Sequence, residues 1–176
     1  MQVLSRQRGV SLIEVMMSVL IFSIGLIGLA GLMVMSTRSN HSAYLRTQVT
    51  FLANNMADRM SANPEAVWKE NYDSNAYPVA AATVGCGSGA ACTPAELAVH
   101  DQRLWSNQLR TFLPNPVAKI DCGGVTSAGY DPTSQLALRP PYGGSCKMII
   151  QWSEQGTGDV DHRASTTQTF AWEFQP

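Results

Sequence analysis

One carboxylate stands inside the most apolar stretch of the chain. Between Arg8 and Arg38 the only charged residue is Glu14. A carboxylate inside a membrane helix costs at least ~2.5–3.5 kcal/mol on insertion scales and reads as functional by default. The bland alternative is a glutamate near the lipid headgroups that reaches water. A positive partner removes much of the cost. If the chain were cut between Gly9 and Val10, the new α-amino group would lie four residues before Glu14, one helical turn away on the same face. That amine can belong to the same chain or to a neighbour. The chemistry is charge pairing, not catalysis.

The other chemically capable residues are few. Cys86, Cys92, Cys122 and Cys146 all follow the apolar stretch. An even count on the non-cytoplasmic side of a membrane favours disulfides. Four cysteines allow three connectivities. Cys86–Cys92 with Cys122–Cys146 is favoured, because each bond closes a local loop. A loop of ~24 residues contributes roughly 3 kcal/mol in the chain-entropy model. Zinc is the rival, but no C-x2-C pair is present. His41, His100 and His162 are isolated in sequence. No phosphate-binding glycine loop, nucleophile elbow or His-Glu-x-x-His motif occurs. Asp159-Val-Asp161-His162 reads as a solvated turn, since Ca²⁺ needs 6–8 oxygens. Ser11 and Ser18 read as local hydrogen-bonders. No catalytic residue, metal or cofactor is expected. Twelve basic against thirteen acidic residues give a net charge of −1, which argues against a nucleic-acid footprint.

The element that must position Glu14 is a helix. Val10–Met35 runs 26 residues with one charge. At ~1.5 Å per residue it spans roughly 39 Å, more than the ~30 Å hydrocarbon core. A cleaved secretory signal has a shorter apolar core of about 7–15 residues and an Ala-x-Ala site; neither is found. Arg6 and Arg8 precede the segment, which places the N-terminus in the cytoplasm and the long remainder outside, although Arg38 and Arg46 follow it. The mean hydropathy of −0.05 thus averages one very apolar segment with a polar remainder. Gly25, Gly28 and Gly31 admit two readings: close helix packing in lipid, or a weak point, since each costs roughly 1 kcal/mol relative to Ala.

Beyond the membrane, Leu45, Val49, Leu52, Met56 and Met60 form one amphipathic stripe. Asn63-Pro64 stops the helix. One helix from about Val10 to Ala62 would be ~80 Å long. Ala76–Cys92 reads as a loop. Thr93-Pro94-Ala95-Glu96 is a strong helix start, with Leu97, Leu104, Trp105, Gln108/Leu109 and Phe112 as its apolar face and Pro114 as its end. Cys146–Trp152 and Ser165–Phe174 read as strands. Trp105, Trp152 and Trp172 are expected core anchors. The expected class is α+β.

Arg8-Gly9-Val10-Ser11-Leu12-Ile13-Glu14, followed by the long apolar run, resembles the signal of type IV pilins and pseudopilins. The family's usual residue after the cut is Phe; here it is Val10. The resemblance implies a pilin-like fold: a long N-terminal helix packed on a small domain with an antiparallel sheet. It implies that a prepilin peptidase cuts after Gly9 and methylates the Val10 amine, and that Glu14 pairs with a Val10 amine during assembly. The chain after the cut would carry ten basic and thirteen acidic side chains. Gly25–Leu32, Ala57–Pro64, Asp101–Trp105 and Leu109–Pro114 resemble, more narrowly, PilV-type minor pilins. The implied organisation is a leader (1–9), a transmembrane and fibre-core helix (10–35), its amphipathic continuation (36–63) and a periplasmic α+β domain (64–176). The implied partners are the prepilin peptidase, other minor and major pilins, the inner-membrane assembly platform, and membrane lipid before assembly. The implied role is priming type IV pilus assembly, in or at the fibre tip, in support of twitching motility and attachment. The alternatives are a GspI-like minor pseudopilin of a type II secretion system and, in another class, a tip adhesin or ligand-binding module.

Overall fold

The computed structural model describes residues 9–80, 86, 91–155 and 165–176. The leader residues 1–8, most of the glycine-rich part of the Ala76–Cys92 stretch and the Asp159–His162 turn lie outside the described residues. The chain divides into two compact units, Met1–His41 and Ser42–Pro176. Helix α1, Leu12–Ala62, supplies residues to both.

In the first unit the large apolar side chains between Val10 and Met35 are 50–78% exposed. This is a helix with no polar face and no protein cover. Three of its hydroxyls turn onto their own backbone: Ser18 donates to the Glu14 carbonyl at 2.7 Å, Ser23 to Val19 at 2.7 Å and Thr37 to Val34 at 2.9 Å. Such hydroxyls need no water.

In the second unit, Leu45, Val49, Leu52, Met56 and Met60 are all buried, as the stripe predicts. Then come α2 (Pro64–Trp68), β1 (Ser74–Tyr77), α3 (Pro94–Phe112), β2 (Val117–Asp121), α4 (Gly124–Ala128), a 3-10 turn (Thr133–Leu138), β3 (Cys146–Gln155) and β4 (Ser165–Phe174). The strands form one antiparallel sheet in the order β1-β2-β3-β4. The class is α+β. The inner face of the sheet, with Ala118, Ile120, Met148, Ile150 and Trp152, completes the core with α1 and α3. Trp105 is fully buried and its indole N–H donates to the Leu52 carbonyl of α1 at 2.9 Å.

Several expectations are corrected. Ala76 and Tyr77 belong to β1 rather than to a loop; Tyr77 is buried against Trp105, and its hydroxyl is satisfied by donating to the Tyr72 carbonyl at 2.7 Å. The buried side of α3 is Ala98, Asp101, Trp105, Ser106 and Leu109, whereas Leu104 and Phe112 are 38% exposed. The hydrophobic pattern skips Asp101 and Ser106 because they are polar, yet both are satisfied inside. The Val79 N–H donates to Ser106 Oγ at 3.0 Å. Trp172 is only partly buried, because β4 is the edge of the sheet. The start of α3 matches its signal, with a capping box between Thr93 and Glu96.

A polar cluster fastens the end of α1 to α3. Arg59 Nη1 donates to Asp101 Oδ1 at 2.8 Å, and the Tyr72 hydroxyl donates to Asp101 Oδ2 at 2.9 Å. Asn63 Nδ2 donates to the Tyr72 hydroxyl at 3.2 Å and to the Pro94 carbonyl at 2.8 Å. Burial, and then the Asp101 carboxylate, push the Tyr72 hydroxyl far above its usual value, so it remains a donor. Asp101→Asn removes the charge partner of Arg59, whose side chain is 24% exposed. Breaking such a pair costs about 3 kcal/mol. Urea unfolding of the full chain in micelles, followed by tryptophan fluorescence, should show a loss of that order; an unchanged midpoint would refute the role given to this cluster.

Candidate functional site

Gly9, Val10 and Ser11 are exposed and precede α1 in no regular structure. The helix begins where the Ser11 carbonyl accepts N–H bonds from Glu14 at 3.0 Å and Val15 at 3.3 Å. Ser11 is therefore the cap residue, and Glu14 lies in the first turn. The positive end of the helix dipole favours a carboxylate there. The residue pattern singles out Glu14 but misses the capping role of Ser11. The signal was present: Ser-x-x-Glu is the spacing of a capping box. Among the described residues, the Glu14 carboxylate has no hydrogen-bond or ion-pair partner. It is exposed on a helix whose other surface is apolar. Helix α1 contains a window of 18 residues apolar enough to cross a membrane.

The arrangement offers two things. One is an accessible Gly9–Val10 peptide outside the helix. The other is a lone anion one turn further on, ringed by side chains that avoid water. Neither is catalytic. Among the described residues, no group of three or more metal-ligating side chains gathers.

Residues 4–30 match the family model described as the prokaryotic N-terminal methylation motif. This is a type IV pilin-like prepilin signal. The motif is that of type IV pilin- and pseudopilin-like chains, a structural rather than enzymatic class, processed by a prepilin peptidase and assembled with pilins. With the apolar helix it indicates membrane anchoring. No curated protein and no solved structure matches the chain.

The cysteines lie far from this motif in sequence. The structure joins Cys86 to Cys92 and Cys122 to Cys146. Asp121 faces Lys147 across β2 and β3, so Cys122 and Cys146 continue that ladder by one pair. Beside them sits Asp73. Its Oδ2 accepts the Cys122 N–H at 3.1 Å, while Oδ1 is buried with no hydrogen-bond partner among the described residues. Burial, aided by the Asp121 and Glu70 carboxylates, pushes the Asp73 carboxyl above its ordinary value, against the opposing pull of the Cys122 and Gly123 N–H groups. The fold thus holds this proton more tightly than the unfolded chain does. Its contribution to stability is complete below the unfolded value of about 3.9 and is lost as pH rises through the folded one. Asp73→Asn keeps an acceptor for Cys122 but cannot ionise. The drop in melting temperature from about pH 4 to pH 7 should therefore be smaller in this variant than in the parent; an equal drop would exclude Asp73 as its source.

Proposed function

We propose that the chain is a PilV-like minor pilin, made as an inner-membrane prepilin and cut after Gly9. The observation that carries this is the methylation motif at residues 4–30, seated on a helix whose apolar side chains lack any cover in the described chain. The exposed, non-helical Gly9–Val10 peptide suits a peptidase substrate. In this reading Met1–Gly9 is the leader and Val10 carries the methylated amine. Residues 10–35 lie first in the membrane and later in the fibre core, and 36–63 continue the helix. Residues 64–176 belong to the periplasmic domain, which ends at the cell surface. Retention of a cytoplasmic N-terminus follows from Arg6 and Arg8.

The mechanism rests on Glu14. Before assembly the carboxylate is an unpaired charge close to lipid. After cleavage, the Val10 amine of a neighbouring subunit supplies the missing cation. Each pairing sets the axial position of one helix against the next, while the apolar faces bury together. A subunit that makes this contact joins other minor pilins in priming the fibre at its tip, and twitching and attachment depend on that step. The motif alone fits a GspI-like pseudopilin of a type II secretion system as well; the later segments that resemble PilV-type minor pilins and the cysteine-bearing loop region favour the first reading, and the two part at the phenotype.

Mass spectrometry of the processed chain should find N-methylated Val10 as the first residue; a chain that still begins at Met1 would sink the reading. Glu14→Ala should insert normally, because removing a charge lowers the insertion cost, yet be absent from sheared fibres. Normal incorporation would refute the pairing mechanism. Deletion should abolish surface pili and leave secretion intact, whereas the reverse result would establish the pseudopilin role.

A further inference from the structure

Two large side chains of α1 lie exposed beyond its apolar run. Tyr44 is 51% exposed and Phe51 57%. With Thr47 between them they form one stripe of the helix. That stripe turns away from the buried one, where Leu45, Val49, Leu52 and Met56 join the core. Tyr44 follows Met35 by nine residues, or ~14 Å along a straight helix. The headgroup layer is about 5–7 Å deep on each side of the hydrocarbon core. An upright helix would hold Tyr44 just clear of the lipid.

Length argues against the upright pose. The run Val10–Met35 spans roughly 39 Å against a core of ~30 Å, and a helix longer than its bilayer tilts. Tilt lowers whatever the helix carries on its underside. The buried stripe is occupied by the core, so the Tyr44–Phe51 stripe is the side free to approach lipid. Its chemistry suits the headgroup layer. Tyrosine is enriched at membrane–water interfaces, where its ring meets the acyl boundary and its hydroxyl meets water. The charge is complementary as well. From Ser36 to Ala57 the sequence has no Asp or Glu but carries Arg38 and Arg46, and Arg46 is exposed. Glu154, which reaches this stretch at Ser42, has both oxygens engaged, by the Ser42 hydroxyl and the Trp152 indole. An anionic leaflet attracts such a segment.

We propose that the Tyr44–Phe51 stripe of α1 docks on the headgroup layer of an anionic bilayer while the chain is membrane-anchored. Tyr44 seats at the boundary of headgroup and acyl chain. Arg46, on the flank of the stripe, lays its stem along the surface and carries its charge to the lipid phosphates. Phe51 stands two turns further out and touches lipid less. Excess length makes a helix tilt but gives the tilt no direction; this contact supplies one. The docking depends on membrane anchoring alone, so it holds for a pilus and for a secretion fibre.

The probe is a vesicle of phosphatidylethanolamine and phosphatidylglycerol whose acyl chains are brominated just below the headgroups. The full chain is reconstituted in it as the parent and as Tyr44→Trp, Phe51→Trp and Asp58→Trp, three exposed positions in line on α1. The parent's four tryptophans set the baseline. The fluorescence added at position 44 should be quenched about twofold, that at 51 less, and that at 58 not at all, because depth falls along a tilted helix. In the Tyr44→Trp background, Arg46→Gln, or phosphatidylcholine in place of phosphatidylglycerol, should lower the ratio of docked to undocked helix about fivefold, the worth of one basic side chain near an anionic leaflet. No quenching above the baseline at position 44 would overturn the proposal. Equal quenching at 44 and 58 would show non-specific adhesion and overturn it too, as would indifference to both the charge of Arg46 and the charge of the lipid. Quenching that disappears as the protein-to-lipid ratio rises would give the stripe to a second copy and overturn its assignment to the bilayer.

Discussion

The apolar side chains of α1 between Val10 and Met35 must leave water, and the described chain offers nothing to cover them. Fully burying one large aliphatic or aromatic side chain is worth about 1.5–3 kcal/mol. Sequestering ten of them therefore exceeds the whole stability of an ordinary domain, about 5–15 kcal/mol. Against that, one carboxylate costing about 3 kcal/mol cannot keep the helix out of the membrane. Glu14 does not decide whether the segment is buried. In the proposed mechanism it decides which neighbour the segment accepts once lipid is exchanged for protein.

The second unit meets a different demand. It must hold the far half of the same helix in place with polar as well as apolar contacts. The segment Ala57–Pro64 supplies Arg59 and Asn63; the segment Asp101–Trp105 supplies Asp101 and Trp105. The two segments are distant in sequence, and the fold brings them together through Asp101 and Tyr72. At the other end of the unit, Ser42 donates to Glu154 Oε2 at 2.8 Å, and the Trp152 indole donates to Glu154 Oε1 at 2.7 Å. Helix α1 is thus held by a carboxylate near each end of its buried stripe, at Ser42 and Arg59, with Leu45, Val49, Leu52, Ala53, Met56 and Ala57 buried between.

What the sequence made legible follows from the strength of each local signal. The stripe on α1, the capping box at Thr93 and the alternation in β4 are periodic or positional patterns that span many residues. They lead directly to α1, α3 and β4. The strands β1 and β2 are short, and nothing in four or five residues separates them from loop. Glu154 was equally hidden, because its partners lie 112 and 2 residues away and only the folded sheet unites them. The N-terminal signal was legible because its pieces are contiguous: a glycine, a carboxylate and an apolar run. The cap at Ser11 is less legible, because a serine at the start of an apolar run is equally compatible with a position inside the helix.

The bond between Cys122 and Cys146 sits at the end of a ladder, one pair beyond Asp121 and Lys147. A strand that slipped by one residue would turn Ala118 and Ile120 outward and Lys119 inward. A covalent link at that rung forbids the slip, whatever the remaining pairs prefer. Residues on the outer face of these two strands, such as Lys119 and Lys147, are then relieved of any part in choosing the β2–β3 register. They are free to drift. A surface whose sequence can change without endangering the fold is the kind on which lineages diversify, so the tether in the interior is what makes the exterior evolvable.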